Sequence, residues 1–572
     1  MYVFKNKTQI TNINGSGNPY LDTSSLGLTG ARLANIVWTQ SADTLIVVHP
    51  DINPIKIVRG GTDATWTGSA ITFDSIPKYA FTASFSNPAG TLTPSAVSGK
   101  ITLTASSSVF TAGSVGQYVN ATPQGRAKIV KYTSGTVVDA ITEFPFFNTS
   151  AIANGSWEYE SGYEDVWSSG KGWPRSVTFH EGRLYFGGSK SRPSTIWGSK
   201  VGLFFDFDPT EGLDDDAVEA TLDTNTFNAI VDIISGRDLQ VFTTGGEFYV
   251  PQNGLDPITP TNFFVKTASR NGIKEGIRVQ QLESGTLFVQ RQGKALNEFA
   301  YTDTQLTYVT QKISLLAGHL LRTPSRMALR RSVATDENDL LLITNSDDGT
   351  MAVFSLLRAQ NVIAPSEFTT VDGSFVDVGV DISTIYTIAK RDVNGTFQYY
   401  VEAFDNDLLT DSSKTGGAAA SVSMSHVATE TVNVILDGSV QANQTVPGGG
   451  TVTFPRSSAT KYEVGLPITV RAVTMPVDLK LQTGTRIGFK KRIVEVNALV
   501  ANTQHLKINT IQVPFRAFGD ILDEAVDEYT GTKTLHGILG YTTEGKITVE
   551  QDVPLKMTLL GLEYKVATHQ GT

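Results

Sequence analysis

The sequence predicts an all-β chain: about six β-propeller blades, a small β-domain inserted among them, and a C-terminal β-domain. Three observations carry this. Gly (52 of 572 residues), Thr and Val are abundant while Met (6) is scarce, a composition of strands and tight turns. Few segments hold a helical period through three turns. Short apolar alternations folded around Gly recur every ~45–65 residues, close to the ~40–50 of known propeller repeats.

Residues 1–80 read as a first blade region, with Thr44–Val48 and Ile55–Val58 flanking a turn rich in Pro and Asx residues. Residues 81–165 change character. Ser, Thr and Gly dominate, and short apolar runs at Ile101–Leu103, Ala127–Val130 and Thr136–Val138 suit a small separate β-domain. The remaining blades are placed in 166–410. The stretch Trp173–Trp197 sets their pattern: Val177, Phe179, Leu184 and Phe186 alternate with polar neighbours across Glu181-Gly182, then a polar loop leads to Thr195–Trp197. Gly182 is expected to supply the positive-φ corner. Further hairpins are expected at Leu239–Val250, Thr286–Tyr301, Leu340–Leu356 and Ile385–Phe404, with turns at Gly245-Gly246, Gln292-Gly293, Asp348-Gly349 and Asn394-Gly395. Asp405–Ala420 has the composition of a linker. Residues 411–572 form the last domain, with strands expected at Thr431–Leu436, Ile468–Val473, Ile487–Val500 and Leu559–Val566. Asp520–Tyr529 reads as a short acidic helix or an ordered loop.

The absence of Cys excludes a disulfide framework and a zinc–thiolate site. Neither a secretory signal nor an apolar run of the ~18 residues that span a bilayer is visible. The net charge of −10 argues against a surface that grips nucleic acid, but it suits a wall along which DNA slides.

Motifs with chemical meaning are sparse. His180-Glu181 has the composition of a general base with its orienting carboxylate, but a surface turn offers no pocket, so a structural hairpin is expected. Asp206, Asp208, Glu211 and Asp214–Asp216 are the densest acidic cluster, without the spacing of a calcium loop. Arg322, Arg326, Arg330 and Arg331 form the densest basic cluster, and Lys490-Lys491-Arg492 a second; both read as solvated or ion-paired faces. Gly531-Thr532-Lys533 lacks the first Gly of a phosphate loop. Sequons at Asn120, Asn154 and Asn394 have meaning only in a secretory route. The histidines at 49, 180, 319, 426, 505, 536 and 569 show no metal spacing. No catalytic, cofactor-binding or metal residue is therefore assigned, no cofactor is expected, and the chain reads as a structural protein rather than an enzyme.

Several blocks resemble one family. SVTFHEGRLYFGGSKSRPSTIWGSKVGLFFDF, then DDDAVEATLDTNTFNAI, SGRDLQVFTTGGEFYV, TPTNFFVKTASRNGI and LFVQRQGKALNEFAY, are similar to the tail nozzle proteins (tail tubular protein B) of short-tailed bacteriophages. QSADTLIVVHPDINPIKIVR near the start and QDVPLKMTLLGLEYKV near the end are similar to the same family. The resemblance implies a six-bladed propeller with inserted domains, a homohexamer at the distal end of a virion tail assembled in the bacterial cytoplasm, and a channel that opens for DNA ejection. It implies an adaptor (head-to-tail connector) protein and tail fibres or spikes as partners, genomic DNA passing without sequence-specific binding, and no small-molecule substrate. Family members carry a segment ahead of the block that corresponds here to Tyr2–Ile10. A split or short gene, or another polypeptide, is expected to account for it, so the adaptor contact is where this chain departs from the pattern. The alternative is a carbohydrate-binding or glycan-degrading propeller module of a phage tail, which needs paired carboxylates and exposed aromatics in one groove. A plain protein-interaction propeller is a third possibility.

Overall fold

The computed structural model describes every residue except 6–7, 210–211, 253–255, 284, 335–336, 358–359, 458, 479, 482–483, 486, 539 and 569–572. The chain divides into two compact units, Met1–Leu321 and Arg322–Thr572. Among the described residues the architecture is strands and turns, with helix confined to short 3-10 segments.

Five four-stranded antiparallel meanders and one three-stranded sheet form the blades. The first comprises Val37–Ser41, Thr44–His49, Ile52–Arg59 and Trp66–Ala70, and the second Ser176–His180, Arg183–Gly187, Thr195–Gly198 and Val218–Thr221. The third comprises Ile230–Ser235, Leu239–Thr243, Glu247–Val250 and Lys266–Ser269, and the fourth Gln280–Gln281, Thr286–Val289, Leu296–Thr302 and Thr307–Lys312. These four lie in the first unit. The second unit holds the fifth, Pro324–Arg330, Asp339–Asn345, Met351–Leu357 and Val362–Phe368, and the sixth, Gly373–Asp381, Thr384–Val393 and Thr396–Ala403.

Each expected hairpin falls inside one of these sheets. In the second blade it joins strands one and two, whereas in the others it joins strands two and three, so the spacing read from sequence is irregular by one strand. Glu181 (φ 45°) with Gly182 (φ 75°), and Asn394 (φ 52°) with Gly395 (φ 79°), form two-residue turns with both corners left-handed. The Asp348-Gly349 turn differs: only Gly349 is left-handed, and the Asp348 carboxylate accepts the Thr350 N–H at 3.1 Å.

Within each unit blades stack face to face. Val177, Leu184 and Phe186 of the second blade meet Ile46 and Val48 of the first around Trp167 and Trp197. Its other face brings Tyr185 and Ile196 against Ile233, Leu239 and Val241 of the third. The approach is close enough that a Cβ on Gly187 would lie 2.4 Å from Ile233 Cδ1. Phe242 and Tyr249 then meet Phe288, Phe299 and Tyr308 of the fourth. In the second unit, Leu342 and Val353 of the fifth blade pack on Phe375, Val378 and Ile385 of the sixth. The pattern is that of β-propeller blades.

Between the first and second blades, Lys78–Ser86 to Trp157–Asp165 form one seven-stranded sheet with its own core, including Leu103, Phe110, Val119, Ile129 and Trp157. After the sixth blade, two further cores form, one around Val434, Val452 and Val464 and one around Ile493, Val496, Leu506 and Val549. Two sequence expectations change here. Asp411–Gly416, inside the expected linker, is a strand paired with Tyr462–Leu466, and Asp411 also lies 3.4 Å from the buried Arg391. Of the two readings of the acidic segment after residue 519 the loop holds: the Arg516 guanidinium gathers the Ile521, Leu522 and Glu524 carbonyls, which a helix would have used itself.

Candidate functional site

The sixth blade presents a cleft on each face. Its two-residue turn fixes the register of the last two strands, so side chains alternate cleanly. Asp392 pairs with Phe397, Lys390 with Tyr399 and Ile388 with Val401 on one face; Arg391 with Gln398, Ala389 with Tyr400 and Thr387 with Glu402 lie on the other.

The first face carries a cleft of about 590 Å³ lined by Asp372, Ser374, Lys390, Asp392, Phe397 and Glu430. Two left-handed residues aim the acids into it: Asp372 (φ 43°), just before the first strand, and Thr429 (φ 76°), just before Glu430. That conformation is strained for a β-branched residue, by about 1–3 kcal/mol. The Thr429 N–H donates to the Val446 carbonyl at 3.0 Å, and the Val446 N–H donates to the Glu430 carbonyl at 2.8 Å, so the ladder holds the turn in place. Burial raises the Glu430 carboxyl above its ordinary range, and the Asp372 charge and hydrogen bond and the Asp392 charge raise it further. Asp392 Oδ1 is buried without a hydrogen-bond partner among the described residues. The Lys390 ammonium sits 3.9 Å from the Phe397 ring centroid. A carboxyl raised above its ordinary range with two further carboxyl groups in the same cleft is an arrangement that acid–base chemistry uses.

The opposite cleft, about 390 Å³, is organised by Arg391. Its guanidinium is buried and grips Glu402 with two parallel bonds of 2.8 Å each, with Asp411 at 3.4 Å. Ser412 Oγ donates to Glu402 at 2.9 Å. His426 Nε2 lies 2.8 Å from the Ser412 carbonyl, which can only accept, so Nε2 carries the hydrogen and Nδ1 is left buried and, among the described residues, unpartnered. Burial lowers the His426 pKa. Both carboxylates here are committed to one cation, so this cleft is a clamp.

The first unit has a smaller cavity of about 130 Å³ where the first strands of its blades approach. There Arg175 pairs with Glu275 at 3.2 Å, and Arg278 with the buried Asp232 at 3.5 Å.

The residues singled out from sequence fall elsewhere. His180 is not on an open turn but buried, its Nδ1 2.8 Å from Ser235 Oγ, with burial lowering its pKa; Glu181 beside it is exposed. The acidic cluster is an ion-paired loop. Lys200 lies 3.5 Å from both Asp206 and Asp216, Lys128 lies 3.5 Å from Asp208, and the buried Arg183 holds the backbone carbonyls of Asp214–Asp216. Glu211 and His569 lie outside the described residues. Arg322 pairs with Asp348 and Glu367, Arg326 with Asp377 at 3.7 Å, and Arg330 with Glu337 at 3.3 Å. Lys491 is buried and donates to the Ile487 and Thr543 carbonyls, each at 2.9 Å. Lys533 donates to the Pro514 carbonyl and covers the Tyr529 ring. Asn120 donates to Glu160 at 3.0 Å, and Asn394 is a turn corner. Among the described residues no cluster of three metal-ligating side chains forms.

No protein-family model matches the chain, and no curated protein matches it. It is similar to solved structures of an exo-β-1,3-galactanase from Phanerochaete chrysosporium. With galactose, that structure shows 9% identity over 68% of this chain and 95% of that chain, at a TM-score of 0.22. With β-1,3-galactotriose, the identity is 10% and the TM-score 0.23 over the same shares. It is also similar to the endosialidase of phage phi92, at 10% identity over 79% of this chain and 76% of that one, with a TM-score of 0.19. No residue is transferred from them at this level of likeness. The sequence reading that the chain is not an enzyme is corrected: the solved structures it matches are enzymes, and the first-face cleft gathers carboxyl groups that a scan for short motifs has no means of joining.

Proposed function

We propose that this chain is a bacteriophage tail protein and, within the tail, a subunit of the nozzle ring through which DNA leaves the virion. The observation that carries the reading is the ordered run of nozzle-like sequence blocks. The blocks coincide with blades: the one around Trp173–Trp197 supplies three strands of the second, and those around Leu239–Val250 and Thr286–Tyr301 supply the hairpins of the third and fourth. An acidic chain of net charge −10 suits a wall that repels phosphate. Partners in this reading are further copies in a ring, the adaptor, and tail fibres or spikes. Electron microscopy of the purified chain, alone and with its adaptor, tests it. A six-fold ring with a central channel is expected; monomers in both samples overturn it.

A glycan-binding or glycan-cleaving role in the same tail is the second reading. The observation favouring it is the raised Glu430 carboxyl facing Asp372 and Asp392 in a cleft edged by the exposed Phe397 ring. Glu430 serves as general acid, an aspartate as base or nucleophile, and Phe397 as the platform for a sugar face. Reducing-end release from host-surface polysaccharide is the assay. Glu430→Gln and Asp392→Asn are each expected to lower it at least ~100-fold; release unchanged in both variants removes the cleft from the chemistry.

A further inference from the structure

We infer that the outer edge of the sixth blade pairs with the same edge of a second copy of this chain, strand Thr396–Ala403 lying antiparallel to its counterpart about a twofold axis at Tyr399. Five blades have four strands and the sixth has three, so the position that Trp66–Ala70, Val218–Thr221, Lys266–Ser269, Thr307–Lys312 and Val362–Phe368 fill elsewhere is vacant there among the described residues. Those five outermost strands carry the usual guards against edge pairing: Gly68 in the first, Glu219 in a four-residue strand, Lys266 in another, Lys312, and Pro365. Thr396–Ala403 is eight residues long and contains no Lys, Arg, Pro or Gly, and its single charge, Glu402, is held by Arg391.

The turn decides which backbone groups face outward. In a two-residue hairpin the residues flanking the turn, Val393 and Thr396, form a hydrogen-bonded pair, and such pairs alternate along the ladder. Gln398, Tyr400 and Glu402 therefore bond inward, and Phe397, Tyr399 and Val401 direct their N–H and C=O groups away from the sheet. The strand pairs with no neighbour on that side among the described residues. The same three residues are 63%, 63% and 62% exposed, an unusual state for Phe, Tyr and Val in register on one sheet face.

A second copy fits this edge better than a charged partner does. Centring the twofold on Tyr399 sets Phe397 opposite Val401 of the partner, so every outward-facing residue meets another. The six new hydrogen bonds come from three residues on each side. Glu402 meets Thr396, so no like charges oppose each other. The exposed aromatics of both copies then lie on one continuous six-stranded face. This contact is isologous, whereas a ring needs a heterologous one, so it is separate from the nozzle reading.

The chain has no cysteine, which makes cross-linking decisive. Tyr399→Cys is expected to give a covalent dimer on mild oxidation, because paired Cα atoms across such a ladder lie ~5.5 Å apart. Thr396→Cys is expected to give none, since the two copies of that position stand ~20 Å apart in this register. By light scattering the wild type is expected at twice the mass of Tyr399→Pro, whatever ring either forms. A wild type of the same mass as Tyr399→Pro at tens of micromolar overturns the inference. So does equal cross-linking by the two variants, or assembly of the Tyr399→Cys variant without a covalent dimer on oxidation. A six-fold ring in which that variant does not cross-link overturns this contact and leaves the nozzle reading standing.

Discussion

Replacing Arg183 tests the account of the second blade. The sequence places it as the polar neighbour of Leu184 in a half-buried hairpin, yet Arg183 is 1% exposed and pairs with no carboxylate among the described residues. It donates instead to backbone carbonyls: Ser199 at 2.7 Å, Asp214 at 2.7 Å, Asp215 at 3.4 Å, Ile258 at 3.2 Å, and Asp216. One side chain thus fastens the loop between the third and fourth strands to the segment after the third blade's hairpin. Ser199, Asp216 and Ile258 are buried, so Arg183→Met strands three carbonyls at about 1–1.5 kcal/mol each. Relief of the guanidinium's own desolvation offsets part of this, leaving a net loss of about 2–3 kcal/mol. Arg183→Lys keeps the charge but offers three donors from a single point, and is expected to cost about half as much. Urea unfolding followed by tryptophan emission reads this directly, since Trp167 and Trp197 lie in the adjoining core. A loss below about 0.5 kcal/mol for Arg183→Met would refute the claim that this guanidinium holds the loop.

Three other outcomes are expected. Because Glu430 holds its proton more tightly folded than unfolded, stability falls as pH rises from about 4.5 through its raised value. Glu430→Gln is expected to flatten that slope by a few tenths of a kcal/mol, the amount left for a partly solvated, screened group, in a pH series of melting curves. His426 acts in the opposite sense: burial lowers its folded pKa, so stability is lost as pH falls below its unfolded value near 6.5, and His426→Gln is expected to make that loss shallower. Gly187→Ala drives a methyl against Ile233 and Ile230 and is expected to cost about 1–3 kcal/mol in the same unfolding assay, with little effect if the second and third blades are not packed as described.

Local chemistry made the hairpins legible. Gly182 and the pair Asn394-Gly395 favour the left-handed corners that two-residue turns need, and the alternation around them specifies which residues share a face, so sheets, turns and most core positions follow from neighbours a few residues apart. Burial was not legible in the same way. His180 and Arg183 look like surface polar residues until another strand or loop covers them, and part of the expected linker is a strand because Tyr462–Leu466, far along the chain, pairs with it. The acidic cleft was hidden for the same reason: Asp372, Asp392 and Glu430 belong to no motif and meet only through the left-handed turns before the sheet and at Thr429. The vacant edge of the sixth blade appears only when its three strands are set beside the four of every other. Turn and strand preferences act through bonds along the chain and can be read in order, whereas a charge's environment is set by whatever the fold brings within a few ångströms, and that is decided by tertiary packing alone.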